Sequence, residues 1–491
     1  MTDISEKLRP VLEPLLEDGE KLKLMMMRGG EGLLGGLGGG ETQREGVEGA
    51  GRLVRADRLG ERVGPPDPSS LPRPMADVRP LTALHYNLAA VPSLADVVAP
   101  PYDVIDRDRR PELVARSPFN VVEVDLPQSS NGGDPYEHAA ETLEEWTLQG
   151  ILAADREPAL WALTQDFTTE DGVRHTRRGI LCRVRVTEYG AGRVRPHERT
   201  QPGPKQDRLR LTEATRHNLS PIFSLHPGDA WRHVEGFTRS EPWAELTDDD
   251  GIVHRVWRIG DPDAHRAVAA ELTDAELLIA DGHHRYETAR TYADGVGGDG
   301  PHRYTLMCLV SLDDPGLAVL GYHRLLSNLG DSAAQEALRD AILASFEAEE
   351  VPVEQLDPAG EQGVGVFGYI DAHHRRGFRL RLRDPATLER AIPDVSDAYR
   401  TLDAAILEAL LLRDALGMSA EDIEAKRGIA YTASSPNAIE ALDGDAHAAF
   451  LLRPTPVEQV RAVAAAGETM PPKSTFFFPK LLTGIVFNPL Y

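Results

Sequence analysis

Cysteine is nearly missing: only Cys182 and Cys308 occur in a chain of 491 residues. They lie far apart inside the apolar runs GILCRV and TLMCLV, and read as small core residues. A disulfide framework and a cysteine-based zinc centre are therefore excluded. No stretch approaches the roughly 18 uninterrupted apolar residues of a membrane span, so no membrane role is expected. The amino terminus, MTDISEKLRP, lacks the basic-then-apolar order of a secretory leader, and the expected location is the cytoplasm. Positive charge is also scarce, since Lys+Arg 53 against Asp+Glu 78 leaves a formal net charge of −25. Such a chain has no general affinity for nucleic-acid backbones or anionic lipid, which need a basic face. A small phosphate pocket stays compatible with it, because a few cations focused in a cleft outvote the net charge locally.

What is present is ordinary for a globular protein: 41% hydrophobic and 27% charged residues. The length suits two to three domains with a substantial core. Residues 1–74 stand apart. Their glycine tract, RGGEGLLGGLGGG, has no apolar strand before it and no Gly-Lys-Ser/Thr after it, so it lacks the parts of a phosphate loop. Its composition predicts a flexible extension, with Met75 as a candidate start of the folded unit. Residues 75–325 are expected to form a catalytic or nucleotide-binding core, and 326–491 a C-terminal subdomain.

Strand-like runs occur at 121–126 (VVEVDL), 159–167, 179–186, 276–280, 304–312, 364–370 and 378–383. Helix-like runs occur at 136–150, 263–272, 286–294, 332–349 and 396–416, the last with Ser396 as cap and Gly417 as stop. The two types do not alternate regularly. That pattern predicts an α+β fold of mixed sheets and packed helices rather than a barrel or a doubly wound sheet.

The most informative segment is ELLIADGHHRYETARTYAD. An apolar strand meets Asp281-Gly282, then His283-His284-Arg285, then an amphipathic helix. Glycine permits the tight turn, and a helix start offers free N–H groups and partial positive charge to an anion. Arg285 adds a guanidinium able to grip phosphate, and Asp281 can hold a divalent cation or orient a histidine. An exposed structural turn is the plainer alternative. Adjacent histidines point apart, which disfavours zinc.

A second segment, VRPHERTQPGPKQDRLRL, brings His197, Glu198, Lys205 and Arg208 into one proline-punctuated loop. Glu198 can serve as general base, with His197 tuning it. Lys205 and Arg208 can neutralise phosphate oxygens, unless the loop is simply a solvated face. In VVAPPYDVID, the rigid Pro-Pro corner offers Tyr102 for stacking and Asp103 for hydrogen bonding or metal. In MPPKSTFFFPKL the aromatics fit a buried strand edge, and a ligand role for Lys473 is the lesser reading. His373, His374 and Arg375 repeat the His-His-Arg letters with no helix after them, so they read as solvated surface.

The boxes APPYDVI (99–105), NVVEVDLP (120–127), GRVRPHERT (192–200), PKQDRL (204–209), NLSPIF (218–223), ADGHHRYETA (280–289) and MPPKSTFFFPKLLTG (470–484) resemble the bacterial and archaeal domain of unknown function 1015 family. The DGHHRYETA box is also similar to the DGxHR-x-x-A box of the ParB/sulfiredoxin-like superfamily, which includes partition-protein CTPases, sulfiredoxins and free-serine kinases. That resemblance implies a strand-turn-helix phosphate site, with Asp281, Gly282, His284 and Arg285 at the phosphate and metal end. It implies that Glu198 stands where the kinases use a carboxylate to deprotonate serine. The long segment 210–275 between the two is a departure from that pattern. Sulfiredoxin chemistry is excluded, because the loop carries no cysteine.

The expected catalytic set is thus His197, Glu198, Asp281 and His284. The expected cofactor-binding set is Tyr102, Lys205, Arg208, Gly282, His283, His284 and Arg285, and the metal ligands are Asp103 and Asp281. The cofactors are Mg²⁺ and a nucleoside phosphate, ATP or ADP. The leading function is a phosphotransferase acting on a small hydroxyl metabolite, with free L-serine as first choice from the kinase resemblance. A ParB-like nucleotide switch and a metal-dependent hydrolase using His197, Glu198, His283 and His284 are the alternatives. The partner is a small molecule rather than nucleic acid or membrane, and the oligomeric state is left open.

Overall fold

Alternation along the strands shows how the chain makes its first layer. In Leu277–Asp281, Leu277 and Ile279 enter one core while Leu278 and Ala280 enter another. The same division separates Met307 and Leu309 from Leu306, Cys308 and Val310 in Tyr304–Ser311. Side chains alternate across a strand, so apolar runs this continuous mean that both faces are covered. Cys182 and Cys308 are buried free thiols inside these layers.

The computed structural model describes residues 76–129, 132–198 and 202–491, with backbone alone at 202–204. The expectations for residues 1–74 and Met75 lie outside the described residues. A nine-stranded mixed sheet runs in the order Val194–Arg195, Leu277–Asp281, Ile222–His226, Tyr304–Ser311, Arg174–Arg185, Leu160–Thr168, Val253–Ile259, Ala244–Thr247, with Val78–Arg79 also on Arg174–Arg185. Helix Pro262–Leu272 covers one face through Ala264, Val268 and Leu272. An antiparallel six-stranded sheet follows: Phe346–Val351, Gly377–Leu382, Val366–Asp371, Ala448–Leu452, His323–Leu326, Ile429–Thr432. The fold is α+β. All described residues belong to one compact unit. No helix among them is long and apolar enough to cross a membrane.

The chain's last segment matters most for the site. Phe476–Phe478 pairs with Ala318–Leu320, Thr483 bridges Ala99, and Asn488–Pro489 pairs with His217–Asn218. The tail therefore lies along segments from Ala99 to Leu320 and carries residues 470–480 back to them.

Two local expectations are corrected. VVEVDL is not a strand; Val122–Asp125 is a short helix. Asn120 explains the change: its Oδ1 accepts from Val122 N–H at 3.0 Å, while its amide donates to the Asp96 and Val98 carbonyls. A buried side-chain-to-backbone turn outweighs the β preference of valine. The single helix expected over 396–416 is instead Asp397–Arg400, Asp403–Leu407 and a π-helical turn, Glu408–Arg413. Ser396 caps it as expected. Thr401 then turns its hydroxyl back to the Asp397 carbonyl and Leu402 adopts an extended conformation, which interrupts the ladder.

Candidate phosphate-binding site

The site begins where Leu277–Asp281 ends. Gly282 takes φ 93°, in the left-handed region, and the helix His283–Val296 starts directly after it. Glycine is required twice over here. A Cβ at this position would lie 2.9 Å from Arg285 Nε, so the guanidinium packs where a side chain would be. Gly282→Ala is expected to cost about 1–3 kcal/mol, the usual worth of enforced strain, and to push Arg285 out of place. Denaturant unfolding of the variant checks this, and an unchanged midpoint refutes it.

Asp281 is the electrostatic hub. Its Oδ1 accepts from Lys480 Nζ at 2.7 Å and its Oδ2 from Arg285 Nη2 at 2.6 Å. Burial pushes its acidity the other way, but Lys480, Arg285 and Lys473 outweigh it and hold the carboxyl well below the ordinary range. Arg285 spends Nη1 on the Pro221 carbonyl, so its fork is largely engaged within the protein rather than open for a bidentate phosphate grip.

His197 and Glu198 reach this place from the loop after Val194–Arg195. His197 donates through Nδ1 to the Ile279 carbonyl, while its Nε2 meets Thr475 Oγ1 at 2.8 Å. Its backbone N–H donates to His283 Nε2 at 3.3 Å, and its carbonyl accepts from Met470 N–H. Both rings are buried; desolvation pushes each pKa below the ordinary histidine value, with His197 adding to the effect on His283, so both are neutral imidazoles at pH 7. Both ring nitrogens of His197, expected to be catalytic, are engaged within the protein, where they tie strand, loop and tail together. Glu198 Oε1 accepts from the Lys473 backbone N–H at 2.8 Å.

These residues enclose a cavity of about 290 Å³. Asp281, Gly282, His283, His284 and Arg285 line one side of it, with Glu198, Tyr102 and Asp103. Lys473, Thr475 and Lys480 come from the tail, and Tyr322, Lys426 and Tyr431 from the second half of the chain. The lining carries Arg285, Lys426, Lys473 and Lys480 against Asp103, Glu198 and Asp281, a positive balance inside a strongly acidic protein. Burial works against the Lys473 ammonium, but Tyr322, Glu198, Asp103 and Asp281 reverse that and keep it protonated. Burial lowers His284 despite Asp103, Glu287 and Glu198 nearby.

Three expected residues are not among those lining this cavity: His197, already described, Arg208 and Lys205. Arg208 is buried, donates to the carbonyl and carboxylate of Asp125, and stacks 4.3 Å from the Tyr102 ring centre. It braces Tyr102 from behind, because its charge is already matched by Asp125 and Asp207. Lys205 pairs with Glu287 at 2.7 Å. The repeat at His373, His374 and Arg375 is an exposed turn, with His374 held by Asp371 and Arg375 by Asp443. Sequence reasoning missed Lys480, Tyr322, Lys426 and Tyr431, and undervalued Lys473. The one signal for the tail lysines was two cations in a Pro-Pro-punctuated box, MPPKSTFFFPK.

No group of three or more His, Cys, Asp or Glu side chains among the described residues is placed to hold a metal ion. Asp281 has both oxygens engaged by cations, so the pair Asp103 and Asp281 does not fit a resident magnesium ion. Magnesium commonly arrives with phosphates and keeps several waters.

The family model described as "Protein of unknown function (DUF1015)" matches residues 78–405. The chain belongs to this family. Lys426, Lys473 and Lys480 lie beyond the residues that the family model matches. No curated protein matches the chain. Among solved structures it is similar to a free serine kinase variant in complex with AMP, at 14% identity and TM-score 0.32, covering 60% of this chain and 88% of that one. A conserved hypothetical protein from Pyrococcus furiosus is similar at 16% identity and TM-score 0.30, over 58% of this chain and 89% of that one. SbnI from Staphylococcus aureus, truncated at its C-terminus, follows at 9% identity and TM-score 0.31, over 59% and 82%.

Proposed function

We propose that this DUF1015 protein is a small-molecule phosphotransferase that moves a phosphoryl group from a nucleotide to a hydroxyl. One observation carries the reading: a single cavity combines a helix N-terminus, four cations and the carboxylate of Glu198. Phosphoryl transfer asks for this combination, since its catalysis is mostly positioning and charge neutralisation. The terminal phosphates sit at the N–H groups after Gly282, beside Lys480. Tyr102 supplies a face for stacking. Glu198 takes the proton of the acceptor hydroxyl, whose oxygen bonds to the terminal phosphorus. The bond to the bridging oxygen breaks, and the nucleoside diphosphate leaves with its electron pair. Free L-serine is the first acceptor to try, on the resemblance of the 281–289 box to the free-serine kinases.

A thermal-shift screen with ATP, ADP and CTP, each with and without Mg²⁺, tests the binding half. A ligand at about a hundred times its dissociation constant adds roughly 2.7 kcal/mol of stability, which a melt detects easily. Transfer assays on L-serine and related hydroxyl metabolites then test the chemistry. No shift with any nucleotide refutes the reading. Binding with slow hydrolysis and no acceptor points to a nucleotide switch instead.

A further inference from the structure

The four cations of the cavity fall into two unlike pairs. Lys480 and Arg285 are both satisfied by Asp281, at 2.7 and 2.6 Å. Lys426 and Lys473 have no carboxylate within 4.0 Å among the described residues. The Lys473 ammonium faces the Tyr322 ring at 5.2 Å instead. Both residues hold left-handed backbone, with φ 55° at Lys426 and 61° at Lys473. Only five non-glycine residues among those described do so, and these two share one cavity. Such conformations persist where surrounding structure enforces them, and they gather at ligand clamps. The two reach the cavity from different places: Lys426 from the turn between Ala420–Glu424 and Ile429–Thr432, and Lys473 from the tail. Two ammonium groups that line one space without a direct carboxylate partner among the described residues suit an anion bound between them.

We propose that Lys426 and Lys473 form a second oxyanion subsite, apart from the helix N-terminus, and that the acceptor hydroxyl belongs to a molecule carrying its own carboxylate or phosphate. The word acceptor rests on the phosphotransferase reading; the subsite does not. Its placement beside the base supports the link. The same Lys473 whose side chain faces the anion donates its backbone N–H to Glu198. An oxyanion held there leaves a hydroxyl a few bonds away within reach of that carboxylate. Lys473 also acts on Lys426, which burial and then Lys473 push below the ordinary lysine range against the opposing pull of Asp103.

Calorimetric titration of the full chain tests this, with inorganic phosphate and glycerate as separate probes and glycerol as the neutral control. Saturating ADP is present in one series to fill the helix N-terminus, and absent in another. At least one anion is expected to bind with ADP present, and glycerol is not; which anion binds distinguishes a phosphate-bearing from a carboxylate-bearing acceptor. Lys426→Met is expected to weaken that binding roughly tenfold or more, the worth of a charge-assisted contact. ADP affinity should stay within about twofold, as for independent sites. Lys473→Met should repeat the pattern. The proposal is overturned if neither anion binds, if Lys426→Met binds it as tightly as the parent, or if ADP affinity falls in step. Should ADP fail to bind while anion binding still depends on Lys426, the subsite stands and the phosphotransferase reading falls.

Discussion

Arg285→Ala is expected to lose nucleotide affinity and about 3 kcal/mol of folding stability together. From sequence alone, the residue heads a helix facing a ligand, and its removal should leave the fold nearly intact. The structure changes that expectation. Arg285 is only 11% exposed along its side chain, and it joins the Asp281 carboxylate to the Pro221 carbonyl. Breaking a buried ion pair typically costs about 3–5 kcal/mol, and Lys480 remains to hold Asp281, so the low end applies. The pH dependence gives a second readout. A carboxyl held below its ordinary value stabilises the fold fully above the unfolded pKa of about 3.9, and that contribution is lost as pH falls through the folded value. Without Arg285 the carboxyl is less depressed, with Lys480 still holding it below the ordinary value, so the gap between parent and variant should persist below pH 4 and narrow only as pH falls past the variant's own folded-state value. His373→Ala, in the exposed repeat, should move stability by less than about 0.5 kcal/mol. Urea unfolding across pH, paired with ADP titration, reads all three. An Arg285→Ala protein as stable as the parent means that the pair with Asp281 does not brace the turn.

The strand-turn-helix at 277–296 was legible because its causes are local. An apolar run, one glycine that must be left-handed and an amphipathic helix are written consecutively in the chain. Glu198 was legible as a residue type, yet nothing in the sequence places it across a cavity from Gly282. That juxtaposition depends on His197, whose ring and backbone tie the loop to Ile279, His283, Met470 and Thr475. Arg208 shows the opposite failure. A cation in a charged loop resembles a phosphate ligand until Asp125, more than eighty residues away, is found to neutralise it. The tail lysines were hidden for a related reason. Lys480 meets Asp281 across 199 positions of sequence, and contacts of that separation leave no periodic trace. VVEVDL misleads through its three valines, because the Asn120 side-chain turn beside them makes its bonds only once Asp96 and Val98 are in place.

Glu198→Gln separates binding from chemistry, and it should produce the largest change in rate. Glutamine keeps the shape and an oxygen for the Lys473 N–H, which Glu198 accepts at 2.8 Å, so the tail should stay docked. His197 Nε2 lies 3.9 Å from the other carboxylate oxygen and is committed to Thr475, so its position should survive as well. What disappears is the capacity to take a proton from the attacking hydroxyl. Turnover should fall roughly a hundred- to ten-thousand-fold, the usual worth of a positioned general base. The ADP-induced thermal shift should remain. If nucleotide affinity falls in step with the rate, Glu198 holds the nucleotide rather than the proton. If full activity is retained on a confirmed acceptor, the base lies elsewhere. Asp281 is then a poor candidate, because Lys480 and Arg285 hold its carboxylate too weakly basic to compete for a hydroxyl proton. Asp103, on the same cavity wall and free of that double pairing, becomes the carboxylate to replace next.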